Sequence, residues 1–319
     1  MDYATCYRRP MWIGIAAGLG AGAMWGLSFI EPLAVAPYTA FDVTAGRYLV
    51  FGVSSAVILL AARRDVLRTL SRTDWRLALW LGLLGYVVYY LLVAFAVRLA
   101  GAALPALVVG CLPILLAFYA NFREQAIAWR ALLAPLAAIA AGLALVNIEA
   151  ALQAPTIDSR LALAAALALA IGATLVWMWY AIANAEALKR RPTIDAVAWA
   201  GLTGLGAGAG MALLGLPGVL LGMSQIPELG LLRTEAIPLV TWSLATGLLS
   251  SWLATYLWSL AAQRLPLALS AQLIVSETLF ALLFGFIHAE RWPSAYEAAG
   301  AILLVAGVVL GTYRFHKAR

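Results

Sequence analysis

The chain has 319 residues, 64% of them hydrophobic and 11% charged, against roughly 25% charged in an ordinary soluble domain, so water is not its main solvent. Its net charge of +6 comes from basic residues scattered between apolar runs, with no continuous stripe, and this excludes a nucleic-acid surface as the reason for the charge. Two cysteines, Cys6 and Cys111, exclude a disulfide framework, and neither has the CxxC or Cys/His neighbours of a metal site; no cofactor is expected.

Apolar stretches long enough to cross a hydrocarbon core of about 30 Å fall at 11–32, 40–62, 76–98, 101–121, 131–148, 160–184, 196–223, 238–262, 266–287 and 292–313. Open sheet edges cannot satisfy their backbone in lipid, so the expected fold is an all-α membrane protein of ten transmembrane helices. Arg8 and Arg9 before the first run, and Ala34-Val35-Ala36 after it, imitate a secretory signal. The run exceeds the roughly 7 to 15 apolar residues of such a signal, so an uncleaved first helix is expected.

The first run carries Trp25 and Ser28 among glycines from Gly14 to Gly26. These glycines lack the strand-then-helix setting of a nucleotide loop and read, like Gly201 to Gly210 in the seventh run, as surfaces for close helix approach. The second run contains Arg47, read as a structural cation, with Glu31 and Asp42 near its outer boundary and given no substrate role. In the third run Tyr86, Tyr89 and Tyr90 are spaced to share one helical face. Pro113 in the fourth run and Pro217 in the seventh mark kinks.

The sixth run holds the polar and aromatic stripe Thr174, Trp177, Tyr180 and Asn184, and the eighth holds Thr246, Ser250, Ser251, Thr255 and Tyr256. Ordinary interhelical hydrogen bonding accounts for part of such a set; near helix centres, the remainder suits a cavity for a small amphipathic or aromatic solute. Glu277 stands near the middle of the ninth run, where a charge costs about 2.5 to 3.5 kcal/mol even on lenient scales. It must be paired, protonated or facing water, and it is a candidate ligand for an ammonium group or a proton, with Gln272 and Ser276 beside it. The only histidines, His288 and His316, have no nucleophile or HExxH spacing, and His288 reads as an interfacial partner of Glu290.

Basic residues alternate between loops. Sixteen Lys and Arg fall on the side of the N-terminus and four on the other, which places both termini in the cytoplasm. A Leu-Pro pair recurs at Leu104-Pro105 and Leu265-Pro266, and acidic-basic pairs recur at Arg123-Glu124 and Glu290-Arg291. Gly142 and Gly307 follow at similar distances, and a polar junction lies at 153–160. The expected organisation is therefore two five-helix repeats, 1–152 and 153–319; five is odd, so the two are inverted relative to each other.

On the Trp25-Gly26 step with Phe29, Arg47, Pro113 before Glu124, and Glu290 with Gly300 and Gly307, the chain resembles the drug/metabolite transporter superfamily, in its EamA-like ten-helix branch. Where many members carry proline in the ninth helix, this chain reads Ser276-Glu277-Thr278-Leu279-Phe280, which is similar to the aromatic amino acid exporter subgroup. The resemblance implies a bacterial inner-membrane protein that exports amino acids or related metabolites by alternating access. Its partners would be a small-molecule substrate and membrane lipid, and the oligomeric state stays open.

The expected substrate-binding residues are Trp25, Ser28, Tyr86, Tyr89, Tyr90, Trp177, Tyr180, Ser250, Ser251, Gln272 and Glu277. A cationic-drug exporter would use the same carboxylate and aromatic faces. A sugar-phosphate or nucleotide-sugar carrier is disfavoured because Lys189 and Lys317 both lie outside the runs. An integral membrane enzyme is disfavoured by the lack of a catalytic dyad.

Overall fold

The computed structural model describes residues 11–101, 103–152, 159–191 and 193–318. Cys6, Arg8, Arg9, Arg319 and residues 153–158 of the expected junction lie outside the described residues. Ten helices are long and apolar enough to span a bilayer: α1 (Met11–Ala34), α2 (Ala40–Ala62), α3 (Arg72–Ala100), α4 (Leu104–Glu124), α5 (Trp129–Ile148), α6 (Arg160–Arg190), α7 (Ala196–Leu220), α8 (Ala236–Ala262), α9 (Leu267–His288) and α10 (Ala295–Lys317). Among the described residues there is no strand. The helices overlie the ten apolar windows; α6 extends furthest past its window, because Ala185 to Arg190 continue the helix with residues that favour it but are too polar for hydrocarbon.

Five helices are interrupted, each at a place that matters later. The α-helical part of α1 ends at Gly26 and passes through a 3₁₀ turn, Leu27–Phe29, into a last short turn, Glu31–Ala34. Helix α4 breaks at Cys111, just before Pro113, whose missing N–H leaves the ladder incomplete; Pro217 lies inside the last turns of α7 without a break. Helix α9 breaks at Ile274, two residues before Ser276. Helices α3 and α8 each contain a π-helical segment, Leu83–Val88 and Gly247–Leu253, and in both the segment follows an 11-residue α-helical stretch.

Lipid offers no hydrophobic force between helices, so close packing depends on small residues. Helix α2 crosses α7 where Gly52 faces Gly208, and a Cβ built on Gly52 would stand 2.8 Å from the Gly208 Cα. Helix α5 packs along α10, where a Cβ on Gly300 would stand 2.8 Å from the Gly142 carbonyl oxygen. Helix α1 lies along α9 on a strip of four glycines: Gly14 meets Leu265, Gly18 meets Leu273, Gly22 meets Ser276 and the Glu277 backbone, and Gly26 meets Phe280. The remaining principal contacts are α1 with α8, α3 with α6, α3 with α7, α2 with α8, and α4 with α9.

The arginine-rich ends of α2 and α6 and the starts of α3 and α7 meet at one end of the bundle, here called the basic end. At the far end, Asp42 forms a capping box with Thr39 and also accepts from the Ser224 hydroxyl (2.5 Å) and the Gln225 N–H (3.0 Å). It thereby ties the start of α2 to the α7–α8 loop. His288 and Glu290, expected to pair, do not: among the described residues the ion pair of that loop joins Arg291 to Glu297, because Glu297 closes the capping box that starts α10 and so holds its carboxylate beside Arg291.

Gly208→Ala is expected to destabilise the bundle by about 1 to 3 kcal/mol, because the added methyl meets backbone that cannot move aside. Gly110→Ala, at a position with no heavy atom within 4 Å of a built Cβ, is expected to be neutral or stabilising by up to about 1 kcal/mol through helix propensity. Thermal unfolding of the detergent-purified variants checks both.

Candidate functional site

Arg47, the eighth of the 23 residues of α2, is buried, and a guanidinium there needs its N–H groups met. Its Nε donates to the Ser251 hydroxyl at 2.8 Å, one terminal nitrogen pairs with Glu31 at 3.3 Å, and the other donates to the Ser250 carbonyl at 3.2 Å. The π-helical segment of α8 supplies the serine partners, since a widened turn frees a carbonyl from the i→i−4 ladder. The interrupted end of α1 supplies Glu31, which is itself buried and has one carboxylate oxygen without a partner. The Ser250 hydroxyl donates to the Met24 carbonyl at 2.5 Å and so ties α8 to α1.

Beside this pair lies a continuous aromatic cluster. Trp25 of α1, Trp177 of α6 and Trp258 of α8 form a triangle with ring centroids 5.7 to 6.2 Å apart. The chain of rings continues through Tyr180 to Tyr86 (5.6 Å), and from Tyr86 to Phe51 and Tyr48. The Tyr86 hydroxyl shares hydrogen bonds with Thr255 (2.5 Å) and Tyr180 (3.1 Å), joining α3, α8 and α6 at one depth. The Arg47 guanidinium carbon lies 5.5 Å from the Tyr48 ring centre, a cation–π contact that connects the ion pair to the rings.

Glu277 faces this group from α9. It lies within Coulombic reach of Arg47 and of Tyr89, and it has no hydrogen bond or ion pair among the described residues. Its accessibility changes along the helix: every residue from Leu265 to Ser276 is buried, and every residue from Glu277 to Leu282 is half-buried. Glu277 is thus the first partly exposed residue of α9 counted from the basic end. Tyr89 and Tyr90 are half-buried on the same side, with the Tyr90 hydroxyl donating to the Ala40 carbonyl at 2.9 Å.

Of the residues expected from sequence, Trp25, Tyr86, Trp177 and Tyr180 share the aromatic cluster, Ser250 and Ser251 hold Arg47, and Glu277 and Tyr89 border the accessible side. Ser28 is spent on its own helix, donating to the Trp25 carbonyl at 2.5 Å. Gln272 does not join the group: it is fully buried, donates to the Ala268 carbonyl, and presses its amide against Gly311 of α10. Asn184, on the α6 stripe, accepts from the Trp199 indole at 2.7 Å and serves packing. Sequence reasoning passed over Trp258 and Tyr48, and it gave Glu31 and Arg47 no part in the site. An arginine in an apolar run was the one visible signal for this cluster. Two surface hollows, of about 430 and 280 Å³, lie at the basic end around Arg190 and Arg264 and are separate from the cluster.

Ten spanning helices around a buried ion pair, an aromatic cluster and a half-buried carboxylate describe a multi-pass membrane transporter. Comparison with known proteins agrees. Residues 164–313 match the EamA-like transporter family. The inner membrane protein YtfF of Escherichia coli (strain K12) is 34% identical over 311 residues, covering 93% of this chain and 94% of that protein. The chain belongs to the EamA-like transporter family. A solved crystal structure has the same fold, with a TM-score of 0.75 at 20% identity over 95% of this chain and 98% of its own.

Replacing Arg47 by Met is expected to cost about 3 to 5 kcal/mol, because it leaves Glu31 buried with no counter-charge. Arg47→Met combined with Glu31→Gln is expected to recover most of that loss. Thermal unfolding of the three proteins in one detergent tests the coupling.

Proposed function

We propose that this transporter exports amino acids, aromatic ones among them, and related small metabolites across the bacterial inner membrane. The observation that carries the reading is Glu277, a half-buried carboxylate with no side-chain hydrogen bond or ion pair among the described residues, within Coulombic reach of the Arg47 guanidinium that adjoins the aromatic cluster. The substrate ammonium lies against Glu277, where charge-assisted hydrogen bonding in a poorly solvated site is strong. The carboxylate approaches Arg47, which has five N–H donors, only three of which have hydrogen-bond partners here. The aromatic side chain packs among Trp25, Trp177 and Tyr86.

Alternating access supplies the transport cycle, with repeats 1–152 and 153–319 moving against each other. Two features support this organisation. Exchanging each helix for the one five places along leaves the pattern of principal contacts unchanged: α1–α8 becomes α6–α3, α2–α8 becomes α7–α3, and α2–α7, α4–α9 and α5–α10 map onto themselves. The π-helical segments of α3 and α8 also fall at the same depth in the two sets of five. The excess of basic residues at the basic end supports a cytoplasmic location for that end and for both termini.

A second reading, export of organic cations, draws on the charge of the site, where two carboxylates stand against one guanidinium. Uptake of labelled phenylalanine, tryptophan and tetraphenylphosphonium into proteoliposomes containing the full chain separates the two. Saturable amino-acid flux, reduced at least roughly tenfold by Glu277→Gln and partly retained by Glu277→Asp, is the expected result. Flux of the phosphonium alone moves the assignment to the cation reading, and no flux of any of them removes both.

A further inference from the structure

Ion pairs are unevenly placed among the described residues. Three of them join the first five helices to the last five, and all three converge on the turn between α6 and α7. Lys189 pairs with Glu124 at 2.7 Å, Arg191 pairs with Asp74, and Asp195 pairs with Arg63 at 2.9 Å. Ile194 in the same turn accepts from Gln263, at the end of α8. The Lys189 and Arg191 pairs are mostly shielded from solvent, and the Arg63 pair is more open, so the first two are the stronger.

The Lys189 pair reaches further than its two side chains. The second carboxylate oxygen of Glu124 accepts the backbone N–H of Leu267 at 2.9 Å, and Leu267 is the first residue of α9. One side chain from the end of α4 therefore fixes the start of the helix that bears Glu277, and Lys189 fixes that side chain. From this anchorage to Ser276 every residue of α9 is buried, while from Glu277 onward the helix is accessible. The anchored half is the closed half.

We infer that Lys189, Arg191 and Asp195 form the inner gate of the transporter, a clasp across its two halves, and that Glu124 is a positioning residue coupling that clasp to α9. The inference rests on the transport reading above. With the clasp closed, Glu277 is reached only from the far end. Releasing the clasp frees the first half of α9, and the same carboxylate becomes accessible from the basic end. The gate is electrostatic, so its balance follows the charges at the six positions of its three ion pairs and the ionic strength on that side.

The test reads accessibility and needs no substrate. In full-length protein carrying Cys6→Ser and Cys111→Ser, Ser270→Cys places a thiol in the closed half, at a residue that is fully buried and whose hydroxyl has no partner. A membrane-impermeant maleimide is applied from the basic-end side in oriented vesicles. Labelling is expected to be slow in this background and roughly tenfold faster with Lys189→Met and Asp74→Asn. It is expected to rise with Arg63→Asp and to fall back when Asp195→Arg restores the pair in swapped order. Unchanged labelling in these variants overturns the gate. Should they fail to fold, raising the salt on the unaltered clasp from about 0.01 M to about 1 M, which shortens the screening length from about 30 Å to about 3 Å, must speed labelling. No effect of salt overturns the gate equally. Unchanged labelling in a protein that transports removes the gate alone, whereas absence of transport with salt-sensitive labelling removes the substrate reading alone.

Discussion

A guanidinium buried within a membrane-spanning helix sets the terms for much of this molecule. Arg47 needs a counter-charge and acceptors, and each comes from a helix that departs from regular geometry to provide it. Helix α1 gives up its last turns, passing through a 3₁₀ segment that brings Glu31 inward. Helix α8 widens into a π-helical segment and offers the Ser250 carbonyl and the Ser251 hydroxyl. These departures cost regular hydrogen bonding, and the buried ion pair offsets that cost. The tryptophan triangle then follows from position, since Trp25 precedes the broken end of α1 by one turn and Trp258 follows the π segment of α8.

Packing is asymmetric along the bundle axis, and the asymmetry has a chemical as well as a steric origin. At the basic end, charges of both signs interlock across the two halves and the first half of α9 is enclosed. At mid-depth, rings and hydroxyls from α1, α3, α6 and α8 close the floor through the Tyr86–Thr255–Tyr180 hydrogen bonds. Above that floor Glu277, Tyr89 and Tyr90 border the accessible side.

The ten helices were legible in the sequence because hydrocarbon permits few alternatives: a run near 20 apolar residues must be a helix. The glycine strip of α1 was legible for a related reason, since small residues in a membrane helix mark close approach. The site was legible only in part. Helical spacing placed Tyr86, Tyr89 and Tyr90 on one face, yet the π segment ending at Val88 alters the phase, and Tyr86 bonds to Thr255 while Tyr90 reaches Ala40. Gln272 and Glu277 looked alike as polar residues in one run, but Gln272 faces α10 and Glu277 faces the cluster; no periodicity says which neighbour a face will meet. The partners of Arg47 lie 16 and 204 residues away in sequence, a distance that only the fold closes.

The four glycines of α1 carry one more consequence. A helix seated on side chains is keyed to them like a tooth in a notch, and displacing it means lifting each knob from its hole. Over Gly14, Gly18, Gly22 and Gly26 the supporting surface is bare backbone, without rotamers to rearrange. The strip repeats every four residues, about 6 Å along the axis, so it presents the same profile again after a slide of one repeat. Helix α9 therefore rests on a smooth strip rather than in a set of sockets, and a methyl group at Gly22 or Gly26 would meet its backbone at 2.9 Å and force the two helices apart.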